Sequence, residues 1–156
     1  MREAGRTATV VAMTIVVAAA AACGGASRLS KPAYEKKLKG EGAQLSADFS
    51  GLKLAGTTNL KGLASKLGTA QSKIEHAASD IGDLKPPKEA EADNQKIADS
   101  LHRLAKVFGQ MKAAASKDDR MKLLSLVQTV QPVLREGSGA AQDLKAKGYD
   151  IGEFGR

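Results

Sequence analysis

Leu60-Lys-Gly-Leu-Ala-Ser-Lys-Leu-Gly-Thr-Ala-Gln-Ser-Lys-Ile-Glu-His-Ala-Ala-Ser-Asp-Ile-Gly-Asp-Leu84 is the stretch that decides the fold. Within it Leu60, Leu63, Leu67, Ala70, Ile74, Ala77, Ile81 and Leu84 recur at alternating steps of three and four. That period places them on one face of an α-helix, as a seam that must be buried against other helices. Lys85-Pro86-Pro87 ends the helix, because a residue before proline is pushed out of the helical region and Pro87 can open the next one.

Moving outward in the C-terminal direction, Pro87 to Ala115 repeats the pattern with Ala90, Asn94, Ile97, Leu101, Leu104, Phe108, Met111 and Ala115. Glu89 and Glu91 stand in its first turn, where carboxylates meet the positive end of the helix dipole. Asn94 is the one polar seam residue and sets register. Ser116-Lys-Asp-Asp119 resembles a capping box, with Asp in place of Glu, and starts a fourth helix. Its seam is Leu123, Val127, Val130, Leu134, Gly137, Ala141 and Leu144. Pro132 kinks this helix and Gly137 and Gly139 weaken it, yet the heptad keeps its phase, which predicts one bent helix rather than two.

In the other direction, Tyr34, Leu38, Leu45, Phe49 and Leu52 mark a helix over about 33–50. It is the weakest of the four, because Gly40 and Gly42 each cost about 1 kcal/mol relative to Ala. Residues 51–58 read as a loop, with Thr57, Thr58 and Asn59 as candidate caps for the next helix. The prediction is an all-α protein, an antiparallel up-down four-helix bundle over residues 33–148. A tail at 149–156 holds Tyr149, Ile151 and Phe154 among glycines. These side chains gain by folding back over the open end of the bundle; an exposed contact tail is the other reading.

The first residues follow different rules. Arg2 and Arg6 precede Thr7–Ala22, an uncharged run of 16 residues made mostly of Ala and Val. That length suits the apolar core of a signal peptide and falls short of the roughly 20 residues of a permanent bilayer span. Ala20, Ala21 and Ala22 then lead into Cys23, the single cysteine of the chain. Small side chains there suit a signal peptidase, and a lone cysteine cannot form an internal disulfide.

This junction resembles a bacterial lipobox, with Ala20 standing where that pattern usually has Leu. The resemblance implies a diacylglycerol on the Cys23 thiol and cleavage between Ala22 and Cys23. Residues 1–22 would be the signal peptide, 23–32 a lipidated tether ending at Pro32, and the mature protein would sit on the extracytoplasmic face of the cell membrane. The alternatives are an ordinary signal peptide cut after Ala22 and an uncleaved anchor. The lipobox, Tyr34, the Leu84–Pro87 break and Gly148-Tyr149 together are also similar to small helical lipoproteins of high-GC Gram-positive bacteria, a resemblance that brings no activity with it.

The 156-residue chain carries a formal charge of +7, which becomes +6 once Arg2, Glu3 and Arg6 are removed. A basic exported domain favours anionic lipid headgroups or wall polymers, besides any protein partner. Export argues against nucleic acid, as does the shortage of stacking aromatics, with no Trp and Phe49, Phe108 and Phe154 as the only Phe. No catalytic, metal or cofactor-binding constellation is expected. The nearest match to a di-metal pattern is Asp99-x-x-His102, and helical phase turns it and His76 toward solvent. The reading is therefore a non-catalytic helical binding or scaffolding module. The alternative is a carrier of an apolar ligand or lipid between the helices, opened by Pro132 and Gly137, with a closed, elongated cavity near 132–141. Small seam residues at Ala70, Ala77, Gly137 and Ala141 fit either a tight seam or a cleft.

Overall fold

The computed structural model describes residues 27–52, 59–152 and 154. The signal and lipobox expectations for residues 1–22 and for Cys23 fall outside them, as do residues 23–26 of the tether and 53–58 of the expected loop. The described chain is all-helical and has four α-helices: α1 (Lys31–Leu52), α2 (Leu60–Gly82), α3 (Glu91–Ser116) and α4 (Arg120–Ala146).

The α2 seam is buried as its spacing demands: Leu67, Ala70, Ile74, Ala77 and Ile81 are all core, and Ala64 and Ala78 widen the stripe. Asn59 caps this helix by accepting the Lys61 amide proton at 2.9 Å. After Pro87 a short 3-10 turn (Lys88–Ala90) precedes α3, so α3 proper begins a few residues later than the prolines suggested. Along α3, Ile97, Leu101, Leu104, Phe108 and Ala115 are buried. Packing runs chiefly between α2 and α3 and between α3 and α4, while α1 lies on α2.

Both polar side-chain atoms of Asn94 are hydrogen-bonded in the core. Asn94 accepts the Tyr34 hydroxyl proton at 3.1 Å and donates to the Ile81 carbonyl at 2.9 Å. One polar side chain thereby ties α1, α2 and α3 together, the registering role its seam position suggested.

The first helix is longer than the sequence indicated, starting at Lys31 and running unbroken through Gly40 and Gly42 to Leu52. Gly42 has a packing reason to be glycine: an added Cβ would lie 2.5 Å from the Phe154 ring. The C-terminal tail produces that contact. Gly148, at φ +79°, turns the chain back from α4. Tyr149 then packs edge-on against Tyr34 at 5.7 Å, Ile151 is buried, and Phe154 reaches Gly42. Tyr149 also donates to Glu89 at 2.8 Å, Glu35 accepts the Asp150 amide proton, and Lys39 pairs with Asp150. The tail lies along α1 and straps it to the other helices.

Two expectations for α4 are corrected. Its cap is Asp119, which accepts the Lys122 amide proton at 2.9 Å, and Ser116 is instead the last residue of α3, its hydroxyl donating to the Lys112 carbonyl. The chain can turn so tightly because Asp118 takes a left-handed conformation, φ 56°. Second, the N-terminal half of α4 is rotated from the predicted seam. Leu126 is buried, while Val127 and Leu134 are exposed. The cause lies further along, where Ser100 of α3 donates to the Val133 carbonyl at 2.7 Å. An added Cβ at Gly137 would come within 2.8 Å of the Ser100 oxygen, so glycine permits this close approach. The helix is docked tightly there and at Ala140, Ala141 and Leu144, and runs uninterrupted through Pro132.

Candidate functional site: an apolar cleft between α1, α3 and α4

Because α4 is clamped at its C-terminal half and α1 rests on α2, a gap opens between α1 and α4 over the face of α3. It is an open cleft of about 1090 Å³. Its floor is the apolar face of α3, from Ile97 through Leu101 and Leu104 to Phe108. One wall is α1, with Leu45 and Phe49. The other is α4, with Val130, Leu134 and Gly137. Phe154 and Gly42 lie at the end where the tail crosses α1.

The cleft reconciles two readings of the small residues in α4. Gly137 closes the α3–α4 seam against Ser100, and it also lines the cleft beside Ser138. The expected closed cavity at 132–141 is corrected in shape: the space is open to solvent and begins at Val130. Its α1 wall came from residues that the sequence assigned to a weak seam. Leu45 and Phe49 are only half-buried because they face this gap, and Phe49 packs edge-on against Phe108 at 5.9 Å.

Polar groups gather toward the rim. Ser46, Ser50, Gln131 and Arg135 line the cleft and are exposed. Lys39 lies at the tail end, paired with Asp150, whose carboxyl that hydrogen bond holds below the usual carboxylate range. Ser100 also lines the cleft, but its hydroxyl is taken up by the Val133 carbonyl. A floor otherwise apolar, with the remaining polar groups toward the edge, suits a ligand with a hydrocarbon body and a polar end.

The histidines and the Arg103–Glu136 pair lie outside this cleft. His102 Nδ1 is 3.1 Å from Glu75 Oε1, both exposed, Asp99 accepts from Gln95, and His76 is exposed. Arg103 pairs with Glu136 and holds its carboxyl below the ordinary value. Among the described residues no three His, Cys, Asp or Glu side chains come together as a metal site, and no helix is long and apolar enough to cross a membrane. Burial raises both tyrosines. Tyr149 is pushed up to about 12, with its hydrogen bond to Glu89 as a further cause. Tyr149 belongs to the tail strap, and Tyr34 is the α1 side chain it packs against.

Sequence comparison with protein families, curated proteins and solved structures found no match.

Proposed function

We propose that this protein is an exported lipoprotein that carries an apolar, acyl-chain-bearing molecule in the cleft between α1, α3 and α4. In this reading residues 1–22 direct export, Cys23 bears the diacylglycerol, and the helices stand at the extracytoplasmic face of the cell membrane. Two acyl chains on Cys23 matter, because a single chain anchors only marginally. The helices are arranged up and down. Pairs such as Gly68 with Lys112 and Gly82 with Ala98 support this for α2 and α3, and Ser100 with Gly137 and Asp93 with Lys147 support it for α3 and α4.

The cleft itself carries the proposal. At about 1090 Å³ it is slightly larger than the roughly 300–1,000 Å³ typical of small-molecule sites, and its floor is chiefly hydrocarbon and aromatic. It favours a carrier over a scaffold whose working surface is polar. The role is binding without catalysis.

The test is titration with a fluorescent fatty acid of wild type and Ser46→Trp, which places a large side chain in an exposed position of the α1 wall. Saturable one-site binding, weakened at least about tenfold in a variant that keeps its melting temperature, is expected when a filled site loses room. Equal binding by both proteins, or none by wild type, would overturn the proposal. The anchor has its own test: Cys23→Ala should leave the membrane fraction in a high-salt wash that screens surface charge and that the lipidated wild type withstands.

A further inference from the structure

The positive charge of the described residues is concentrated at one end. The Asp48–Lys73 ion pair and the approach of Gln71 to Gly109 mark a level about midway along the helices. Beyond it lie residues 44–52, 59–73 and 106–131, with eight Lys and Arg against three Asp and Glu, a net of +5. The remaining described residues hold twelve of each sign and are neutral. Two of the three acids at the charged end are engaged locally, Asp48 with Lys73 and Asp118 with Arg120.

The same end exposes apolar side chains. Four large hydrophobic residues of the described chain stand out from the surface, all on α4, and three of them are here: Met121 at 78%, Leu124 at 63% and Val127 at 50% exposure. Lys117, Arg120 and Lys122 flank Met121 in the chain and are themselves exposed. Exposed apolar groups bordered by cations are the composition of an interfacial membrane contact. The apolar side chains enter the headgroup boundary, and the long cationic stems reach back to anionic headgroups.

We infer that the end of the protein formed by the start of α2, the end of α3 and the start of α4 docks on an anionic lipid bilayer, with Met121 and Leu124 inserted. This goes beyond the carrier reading and needs neither an occupied cleft nor the lipid on Cys23. The tether enters at the opposite end, where the Leu29 amide donates to the Lys85 carbonyl. Helices of this length span about 33 Å or more. The docking end is therefore a contact separate from the point where the tether enters.

The chain has no Trp, so a single introduced one reports alone. The full chain carrying Met121→Trp is mixed with phosphatidylglycerol or phosphatidylcholine vesicles containing brominated acyl chains. Gln142→Trp, at an exposed site on the neutral half of α4, serves as the control. On phosphatidylglycerol the Met121→Trp emission should shift to shorter wavelength and be quenched, with both effects weakening as salt rises. The control should not change, and Lys117→Glu with Arg120→Glu and Lys122→Glu should abolish the signal. The inference is overturned if Met121→Trp stays unshifted on phosphatidylglycerol, if the control is quenched equally, if phosphatidylcholine works as well, or if the charge reversals leave the signal intact.

Discussion

Tyr34 of α1 and Asn94 of α3 are joined by a buried hydrogen bond of 3.1 Å, and Asn94 passes the link on to the Ile81 carbonyl of α2. Both partners of Asn94 lose their bond if it is truncated, and a buried group left unsatisfied costs about 1–3 kcal/mol. Asn94→Ala should therefore destabilise the protein more than Tyr34→Phe, which removes a single hydroxyl worth about 1 kcal/mol. Urea denaturation of the two variants gives the comparison. Equal losses would mean that the Ile81 bond contributes nothing.

The rotation of α4 predicts which of two neighbouring leucines matters. Leu126 is buried and Leu124 is exposed. Leu126→Ala should cost about 2–5 kcal/mol and Leu124→Ala no more than about 0.5 kcal/mol, as judged by denaturant midpoints. The reverse order would place α4 in a different rotation about its axis.

Gly137 should tolerate no side chain while Ser100 stands opposite. Gly137→Val forces the α3–α4 seam apart and should cost about 1–3 kcal/mol. Part of that loss should be recovered in combination with Ser100→Gly, because the Ser100 side-chain atoms are those the new group meets. Additive losses in the double variant would remove this explanation.

The tail strap should have a pH window. Tyr149 has its proton held up to about 12 against an ordinary 10, first by burial and then by its bond to Glu89. A raised value means that the folded state keeps a proton the unfolded state loses. This stabilisation is complete below pH 10 and disappears as pH climbs toward 12. On the acid side, Asp150 and Glu89 are held below their ordinary values. Their contributions exist above the usual carboxylate range and are lost as pH falls through their lowered values. With Tyr34 also raised and no Trp present, absorbance at 295 nm should show neither tyrosine ionising near pH 10. A half-step there in the native protein would place Tyr149 in solvent.

The middle of the molecule was legible because α2 and α3 each carry one unbroken three–four alternation, and a helix so marked has a single face it can bury. The start of α4 was not. Leu123, Leu124, Leu126, Val127 and Val130 offer two overlapping stripes, and the choice between them is made by a contact between residues 33 apart in the chain, Ser100 with Val133. Gly42 was misjudged for a related reason. Viewed within its own helix it is a weak point, and its purpose appears only when Phe154 packs against it. Pro132 and Gly137 pointed toward α4 as one side of a cleft. The opposite wall at Leu45 and Phe49 and the floor at Phe108 depend on how three helices meet, which no local pattern encodes.

The central claim is that an acyl chain lies between α1, α3 and α4. A spin-labelled stearate added to the isotope-labelled protein tests it directly, because a paramagnetic label broadens the methyl resonances beside it. The predicted result is selective broadening at Leu45, Leu104, Val130 and Leu134, with Leu67 and Ile74 on the α2 side of the core unaffected. Broadening spread evenly over the surface, or none at the cleft methyls, would contradict the account.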